Sequence, residues 1–485
     1  MFERYFEKYR NMSLPVKMAF WFLICSFIQK GIGMITTPIF TRIMVDSEYG
    51  RYNIYSSWYS IISVIATLSI SGNCYTRELV VTEDKNEQKV LTSSLYGLVI
   101  TLLVSFTLVY LLFRRHIIKW TGLSDYEFLM MAIDLLLITA CQFWTNNKRV
   151  QYQYVGIVLL TIGFTFLRPL LAVIAVIKAP VNMQVEARIT GVAISNFILF
   201  IWIAISIFIR GKKFYDRKYW KYALSFCIPL IPHYLSKTIL NQSDRIMIGS
   251  IVGNAEVGYY SIAYTIAAIM TIFNTAVAQS LDPWIYRSIK NKNLERIGSV
   301  SYRITAIIAV LNFMVMAIAP EALSILAPSS YAEALWVIPP VTASVFFTFM
   351  YDLFASFQFF YKKTKWIAIG SCGGAVLNII LNAIFIPIFG YIAAGYTTLV
   401  CYILFGVLHY LFMRKVCEKY LDGYCVYDWK IIFGIGLLLV CGSFVMTILY
   451  KHTIIRFAVL AIIAFILVVQ RNKIIALFKG VKEQH

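Results

Sequence analysis

His233, Lys237, Asn241 and Arg245 recur every four residues inside an otherwise apolar stretch, between Phe226-Cys227-Ile228 and Ile246-Met247-Ile248. Steps of four keep side chains near one face of a helix. Two of the four are cations, and Asp244 stands beside them. A Lys or Arg at the centre of a membrane helix costs about 2.5–3.5 kcal/mol on insertion scales. Such a stripe persists where it lines water or meets an anion. The expected chemistry is therefore anion binding along a wet path through a membrane. Lys30 and Arg168 pose the same question in two other apolar stretches. Asp134, Asp244 and Asp352 are candidates for coupling to a proton or sodium ion; Asp134 could instead pair with a cation. Pro229 and Pro232 remove backbone donors just before His233 and predict a bend there.

The elements that must hold these side chains follow from composition. The chain has 485 residues, 60% hydrophobic and only 14% charged, with a mean hydropathy of +0.72. Soluble chains are nearer 25% charged, so an all-α integral membrane protein is expected. A helical span needs about 20 mostly apolar residues. About fourteen such stretches fit, at 16–44, 53–78, 90–113, 125–146, 152–177, 187–209, 222–250, 256–281, 299–326, 332–360, 365–388, 392–413, 430–450 and 454–470. Long apolar runs exclude an outer-membrane barrel, whose strands alternate at period two.

The net charge of +20 would suggest nucleic acid in a soluble protein. Here it falls where it would retain loops in the cytoplasm. With the N-terminus inside, inner segments carry about 31 Lys and Arg and outer ones about 9. Both termini are expected in the cytoplasm, and residues 1–15 are expected to form a short interfacial segment. No nucleic-acid module, nucleotide-binding glycine loop, nucleophile elbow or zinc motif is present. No cofactor or metal is expected, and the nine scattered cysteines read as reduced packing residues.

An internal repeat organises the spans. Arg42-Ile43-Met44 precedes Glu48-x-Gly50-x-Tyr52-x-Ile54, and Arg245-Ile246-Met247 precedes Glu256-x-Gly258-x-Tyr260-x-Ile262, with a connection five residues longer. Thr190-Gly191 and Ala394-Gly395 echo each other more faintly. An offset of six spans keeps both copies in one orientation, which implies a pseudo-twofold axis along the membrane normal. The expected architecture is two pseudo-symmetric six-helix bundles, at 16–210 and 222–413, around a central cavity. A basic linker spans 211–221, and 414–485 adds two helices and a tail. Lys30, Gly33, Thr37 and Thr41 form one polar stripe, and Ser56, Ser60, Ser63, Thr67 and Ser71 another. Serine and threonine stripes equally suit plain helix packing.

The Arg-Ile-Met repeat, and Ser243-Asp244-Arg245-Ile246-Met247-Ile248-Gly249 followed by Glu256-x-Gly258-Tyr259-Tyr260-Ser261-Ile262-Ala263-Tyr264, resemble the Wzx-type polysaccharide-biosynthesis and O-antigen flippases of the multidrug/oligosaccharidyl-lipid/polysaccharide (MOP) superfamily. The resemblance implies alternating access and a polyprenyl-diphosphate-linked oligosaccharide as cargo, carried across a bacterial cytoplasmic membrane for O-antigen or capsule synthesis. It implies a groove for the lipid tail near the last two spans. By position, Arg42 and Arg245 match the family's recurrent basic residues. Lys30, Arg168, Lys237 and Asn241 join them as expected cavity-lining groups. A polysaccharide polymerase and chain-length proteins are the expected partners. Two alternatives stand beside this reading. One is an ion-coupled multidrug exporter, for which an acidic cavity would be expected. The other is a glycan-assembly enzyme such as a polymerase, disfavoured by short outer loops.

Overall fold

The computed structural model describes residues 13–472, so most of the expected interfacial segment at 1–15 and Lys473, Lys479 and Lys482 lie outside the described residues. Among those described, eighteen α-helices and three short 3-10 segments account for all the regular structure. Twelve helical stretches are long and apolar enough to cross a membrane. The two further spans expected from sequence are helical but fall outside that group. One is Asp46–Thr67, made polar by its serines, and the other is Thr453–Val469, with 17 residues.

The chain divides into two compact units, Met1–Thr238 and Ile239–His485. The first contains α1 (Leu14–Ile43), α2 (Asp46–Thr67), α3 (Asn73–Val81), α4 (Lys85–Leu112), α5 (Arg114–Thr121), α6 (Asp125–Val150), α7 (Tyr154–Lys178), α8 (Gln184–Gly211) and α9 (Arg217–Cys227). Local chemistry sets several starts. Ser124 and Glu127 form a reciprocal capping box on α6, and Asp84 and Asp216 cap α4 and α9. The second expected span does not run unbroken to residue 78. Leu68 and Ser69 adopt positive φ of 49° and 50°, which ends α2, and α3 restarts the helix at Asn73. The segment expected as a linker packs into the first unit. Lys218 and Tyr219 donate to Glu87 at 2.9 and 2.7 Å, and the Trp220 indole donates to the Ser94 carbonyl at 2.9 Å. Buried Phe143 and its edge-on neighbours Tyr75 and Tyr96 form part of this unit's core.

The helix α10 (Ile231–Ile251) runs across the boundary between the units. The expected proline bend is a 3-10 turn at Ile228–Leu230, just before it. The second unit continues with α11 (Asn254–Lys290), α12 (Leu294–Ala317), α13 (Ala319–Leu326), α14 (Ile338–Phe360), α15 (Thr364–Phe389), α16 (Ile392–Tyr420), α17 (Trp429–Leu449) and α18 (Thr453–Val469). Its core is α14, whose Phe346, Phe349, Phe354 and Phe357 are fully buried. A helix apolar all round is one enclosed by other helices. The last helix is tied down by charge. Arg456, 1% exposed, donates to both Glu321 oxygens and to the Ala317 carbonyl. Outward residues such as Leu112, Trp202, Leu438 and Ile454 are large, apolar and exposed, as a lipid-facing surface requires.

Candidate functional site

Helix α1 presents Gln29, Gly33, Thr36 and Phe40 at steps of four, three and four, which is one helical face. With Tyr52 of α2, Thr165 and Arg168 of α7 and Arg188 of α8, that face lines a cavity of about 420 Å³ inside the first unit. Gly191 permits the closeness of the last two helices. A Cβ there would fall 2.5 Å from Ala172 Cα and 2.6 Å from the Leu171 carbonyl oxygen. Arg188 lies one turn before Gly191 and Arg168 one turn before Ala172, and both arginines line the same cavity.

The two guanidinium groups are held differently. Arg188 lies between two aromatic rings, 3.7 Å from the Phe40 centroid and 3.6 Å from that of Tyr52. Stacking fixes its plane while leaving most of its N–H groups for a ligand. Its Nη1 reaches the weak acceptor Met44 Sδ at 3.7 Å. Arg168 is half-buried, with Nη2 4.0 Å from Asp134 Oδ2, and its Nε is buried without a hydrogen-bond partner. Asp134 is already well supplied with donors. Tyr59 donates to Oδ2 at 2.6 Å and the Asn196 amide donates to Oδ1. The pairing with a cation expected for Asp134 is thus present but loose.

Other expected residues sit elsewhere. Lys30 and Arg42 are exposed on α1 and neither lines this cavity. Arg42 Nη1 donates to the Pro38 carbonyl at 2.9 Å, four residues back. Gly33 does line it, but Thr37 turns its hydroxyl to the Gly33 carbonyl at 2.9 Å. The serine stripe of α2 behaves likewise. Ser60, Ser63 and Thr67 donate to carbonyls three or four residues back.

On α10 the four residues of the stripe differ in exposure. His233 is half-buried, while Lys237 and Asn241 are exposed. Arg245 lies 4.7 Å from the Tyr264 ring, donates from Nε to Ser261 Oγ at 3.2 Å and from Nη1 to the Asn241 carbonyl at 3.1 Å. That last bond repeats the contact of Arg42, so the paired arginines share a local geometry. Their positions differ, because α1 ends at Ile43 whereas α10 runs on to Ile251. Most of the longer connection is extra helix. Asp244 is fully buried and accepts from Tyr260 at 2.5 Å, Asn382 at 2.6 Å and Thr398 at 2.9 Å. Asp352 is half-buried. Ser356 gives its hydroxyl to the Asp282 carboxylate at 2.6 Å and to the backbone carbonyl of Asp352 at 2.9 Å.

Sequence reasoning missed Arg188 and its sandwich. Its place near the start of an apolar span makes it look like a span-end cation. The available signal was Arg188 together with Tyr52, an aromatic of the repeat motif, but no local spacing links residues so far apart.

Known proteins share the sequence family and the fold. The family model for "Polysaccharide biosynthesis protein" matches residues 16–289, and the MatE model matches residues 229–384. Over 282 residues the chain is 23% identical to the "Lsg locus putative protein 1" of Haemophilus influenzae, covering 56% of this chain and 66% of that one. The match therefore spans just under two thirds of that relative's length. Among solved structures, the lipid II flippase MurJ in an inward closed conformation aligns with TM-score 0.70 at 14% identity, covering 93% of this chain and 99% of MurJ. An inward-facing MATE multidrug resistance transporter aligns with TM-score 0.65 at 12% identity, covering 83% and 96%. With more than half its length matched by one family model and its helices arranged as in these neighbours, the chain belongs to the polysaccharide biosynthesis protein family and has the fold of the MOP-superfamily transporters.

Proposed function

We propose that the protein flips a polyprenyl-diphosphate-linked oligosaccharide across the bacterial cytoplasmic membrane by alternating access, for O-antigen or capsule assembly. The observation carrying this reading is the pair Arg168 and Arg188 on one cavity, together with the side-chain amide of Gln29. A diphosphate is a doubly charged group with many acceptor oxygens, and guanidinium forks match that geometry. The glycan cannot cross hydrocarbon without polar partners. Lys30, Arg42, Lys237, Asn241 and Arg245 are further contacts along the route.

In this mechanism Asp134 is the resting counter-charge of Arg168. An arriving diphosphate replaces it as the stronger and better-shaped partner. A membrane potential negative inside favours outward movement of the anion by about 2.3 kcal/mol per charge per 100 mV. A proton or sodium ion on Asp134, Asp244 or Asp352 would add to that drive. A polymerase and chain-length proteins then receive the product, and both chain termini lie in the cytoplasm. The multidrug-exporter reading is weaker, since two arginines in a cavity repel cationic drugs.

Flipping of a short-chain prenyl-diphosphate oligosaccharide in proteoliposomes tests the proposal. Arg168→Ala/Arg188→Ala at equal reconstitution is expected to slow flipping at least about 100-fold, two charge-assisted contacts at about 1.5–3 kcal/mol each. Wild-type rates in that variant, or efflux of cationic drugs by the wild type with no lipid flipping, would overturn it.

A further inference from the structure

A second cationic pocket lies at the opposite end of α8 from Arg188. There α4 begins while α6 and α8 finish. Lys85 and Lys89 on the first turns of α4, Lys148 on the last turn of α6 and Arg210 on the last turn of α8 line a space of about 240 Å³ with Trp144 and Ile207. No carboxylate is among its lining residues.

Two of the acids that neighbour it in sequence, Asp84 and Glu87, have partners outside the pocket. Asp84 accepts from the backbone N–H groups of Asn86 and Glu87, and Glu87 accepts from Lys218 and Tyr219 of α9. The lysines bond neutral acceptors: Lys89 Nζ donates to Asn86 Oδ1 at 3.0 Å and Lys148 Nζ to Gln153 Oε1 at 2.6 Å. Lys85 and Lys89 also stand at the positive end of the α4 dipole, where cations are disfavoured. Packing holds the group together despite this. At Gly211 a Cβ would fall 2.1 Å from Ser93 Oγ and 2.4 Å from the Lys89 carbonyl oxygen, so α8 is pressed against α4 beside Arg210.

Four cations line a space that no carboxylate lines, which suits an anion. Trp144 is half-buried just inside the end of α6, with Lys148 Nζ 6.0 Å from its ring. A tryptophan there marks the headgroup level of a membrane. Basic pockets between span ends are the usual receptors of anionic headgroups. At about 240 Å³ the space is smaller than the roughly 300–1,000 Å³ of drug-sized sites. It suits a single phosphoryl group, with Trp144 and Ile207 as a wall for the first part of an acyl chain.

We propose that this pocket binds the phosphodiester headgroup of an anionic phospholipid from the surrounding leaflet, separately from the transport cavity. The test uses the purified full-length protein in detergent, with thermal midpoints read while phosphatidylglycerol, phosphatidylcholine or inorganic phosphate is titrated. Phosphatidylglycerol is expected to raise the wild-type midpoint, with the other two inert at the same concentrations. Lys85→Gln/Lys89→Gln/Lys148→Gln is expected to need at least about tenfold more phosphatidylglycerol for half its effect. Arg168→Ala/Arg188→Ala is expected to respond like the wild type, which keeps this result distinct from any failure of the transport reading. An equal response of the triple variant and the wild type, or an equal response to phosphatidylcholine, would overturn the proposal. A shift produced by inorganic phosphate alone would overturn the lipid assignment. If the triple variant does not fold, Lys148→Gln is compared with the wild type by counting lipids retained in native mass spectrometry. Undiminished phosphatidylglycerol retention by that variant would count against the site.

Discussion

Each unit buries an aspartate beneath a tyrosine hydroxyl and an asparagine amide, yet the two carboxylates do different work. Asp244 in the second unit has a third donor, Thr398, and no exposed surface. The adjacent Arg245 turns instead to Ser261, Tyr264 and its own helix. Asp134 in the first unit has Tyr59 and Asn196, with Arg168 only loosely placed at 4.0 Å and facing a cavity. The repeat tyrosines diverge in the same way. Tyr260 donates to Asp244, whereas Tyr52 stacks on Arg188. Asp244 is closed by three donors and meets no cation among the described residues. At Asp134 the arginine is loosely held and lines a cavity, so in the proposed cycle Arg168 exchanges this carboxylate for the anionic ligand.

The largest effect expected from this contrast is on stability. Asp244→Ala strips three buried donors of their acceptor and should cost about 3–5 kcal/mol, while Asp134→Ala, with fewer tight partners, should cost about 1–3 kcal/mol. Thermal midpoints in one detergent rank the two, and equal losses would erase the distinction. Next comes Arg188→Ala, expected to weaken diphosphate binding about 10–100-fold. Arg188→Lys should fall between, since an ammonium keeps the charge but loses the stacked fork. Smaller is Tyr52→Leu, which removes one face of the sandwich and should cost about 0.5–2 kcal/mol of ligand binding, with Tyr52→Phe nearly silent. Diphosphate-binding isotherms read all four variants.

The smallest effect concerns Glu321, whose carboxyl is held below the usual glutamate range chiefly by hydrogen bonds from Arg456. A depressed folded pKa gives stability that is present above the unfolded value and lost as pH falls through the folded one. Thermal midpoints should therefore drop below about pH 4.5 more for the wild type than for Glu321→Gln. The difference is modest because the Glu321 side chain is 41% exposed. Parallel acid profiles would show that this clamp on α18 is not a titrating contact.

Much of the fold was legible because membrane burial writes itself as long apolar runs. The Pro229–Pro232 bend was legible for a similarly local reason, the missing backbone donors. The break at Leu68–Gly72 was not read, although Ser71-Gly72-Asn73 punctuates it, because the positive φ falls earlier, on the non-glycine residues Leu68 and Ser69. At the site, Arg168 was found because a mid-span cation is conspicuous. Arg188 and Arg456 were hidden by standing near span ends, where cations are ordinary. Their burial depends on Phe40, Tyr52 and Glu321, partners more than a hundred residues away in sequence.

Binding of geranyl diphosphate to the purified protein, wild type against Arg168→Ala/Arg188→Ala, tests the central claim most directly. The account predicts saturable binding that the double variant loses at least about 100-fold, with geranyl monophosphate weaker throughout. Undiminished binding in a folded double variant would contradict it.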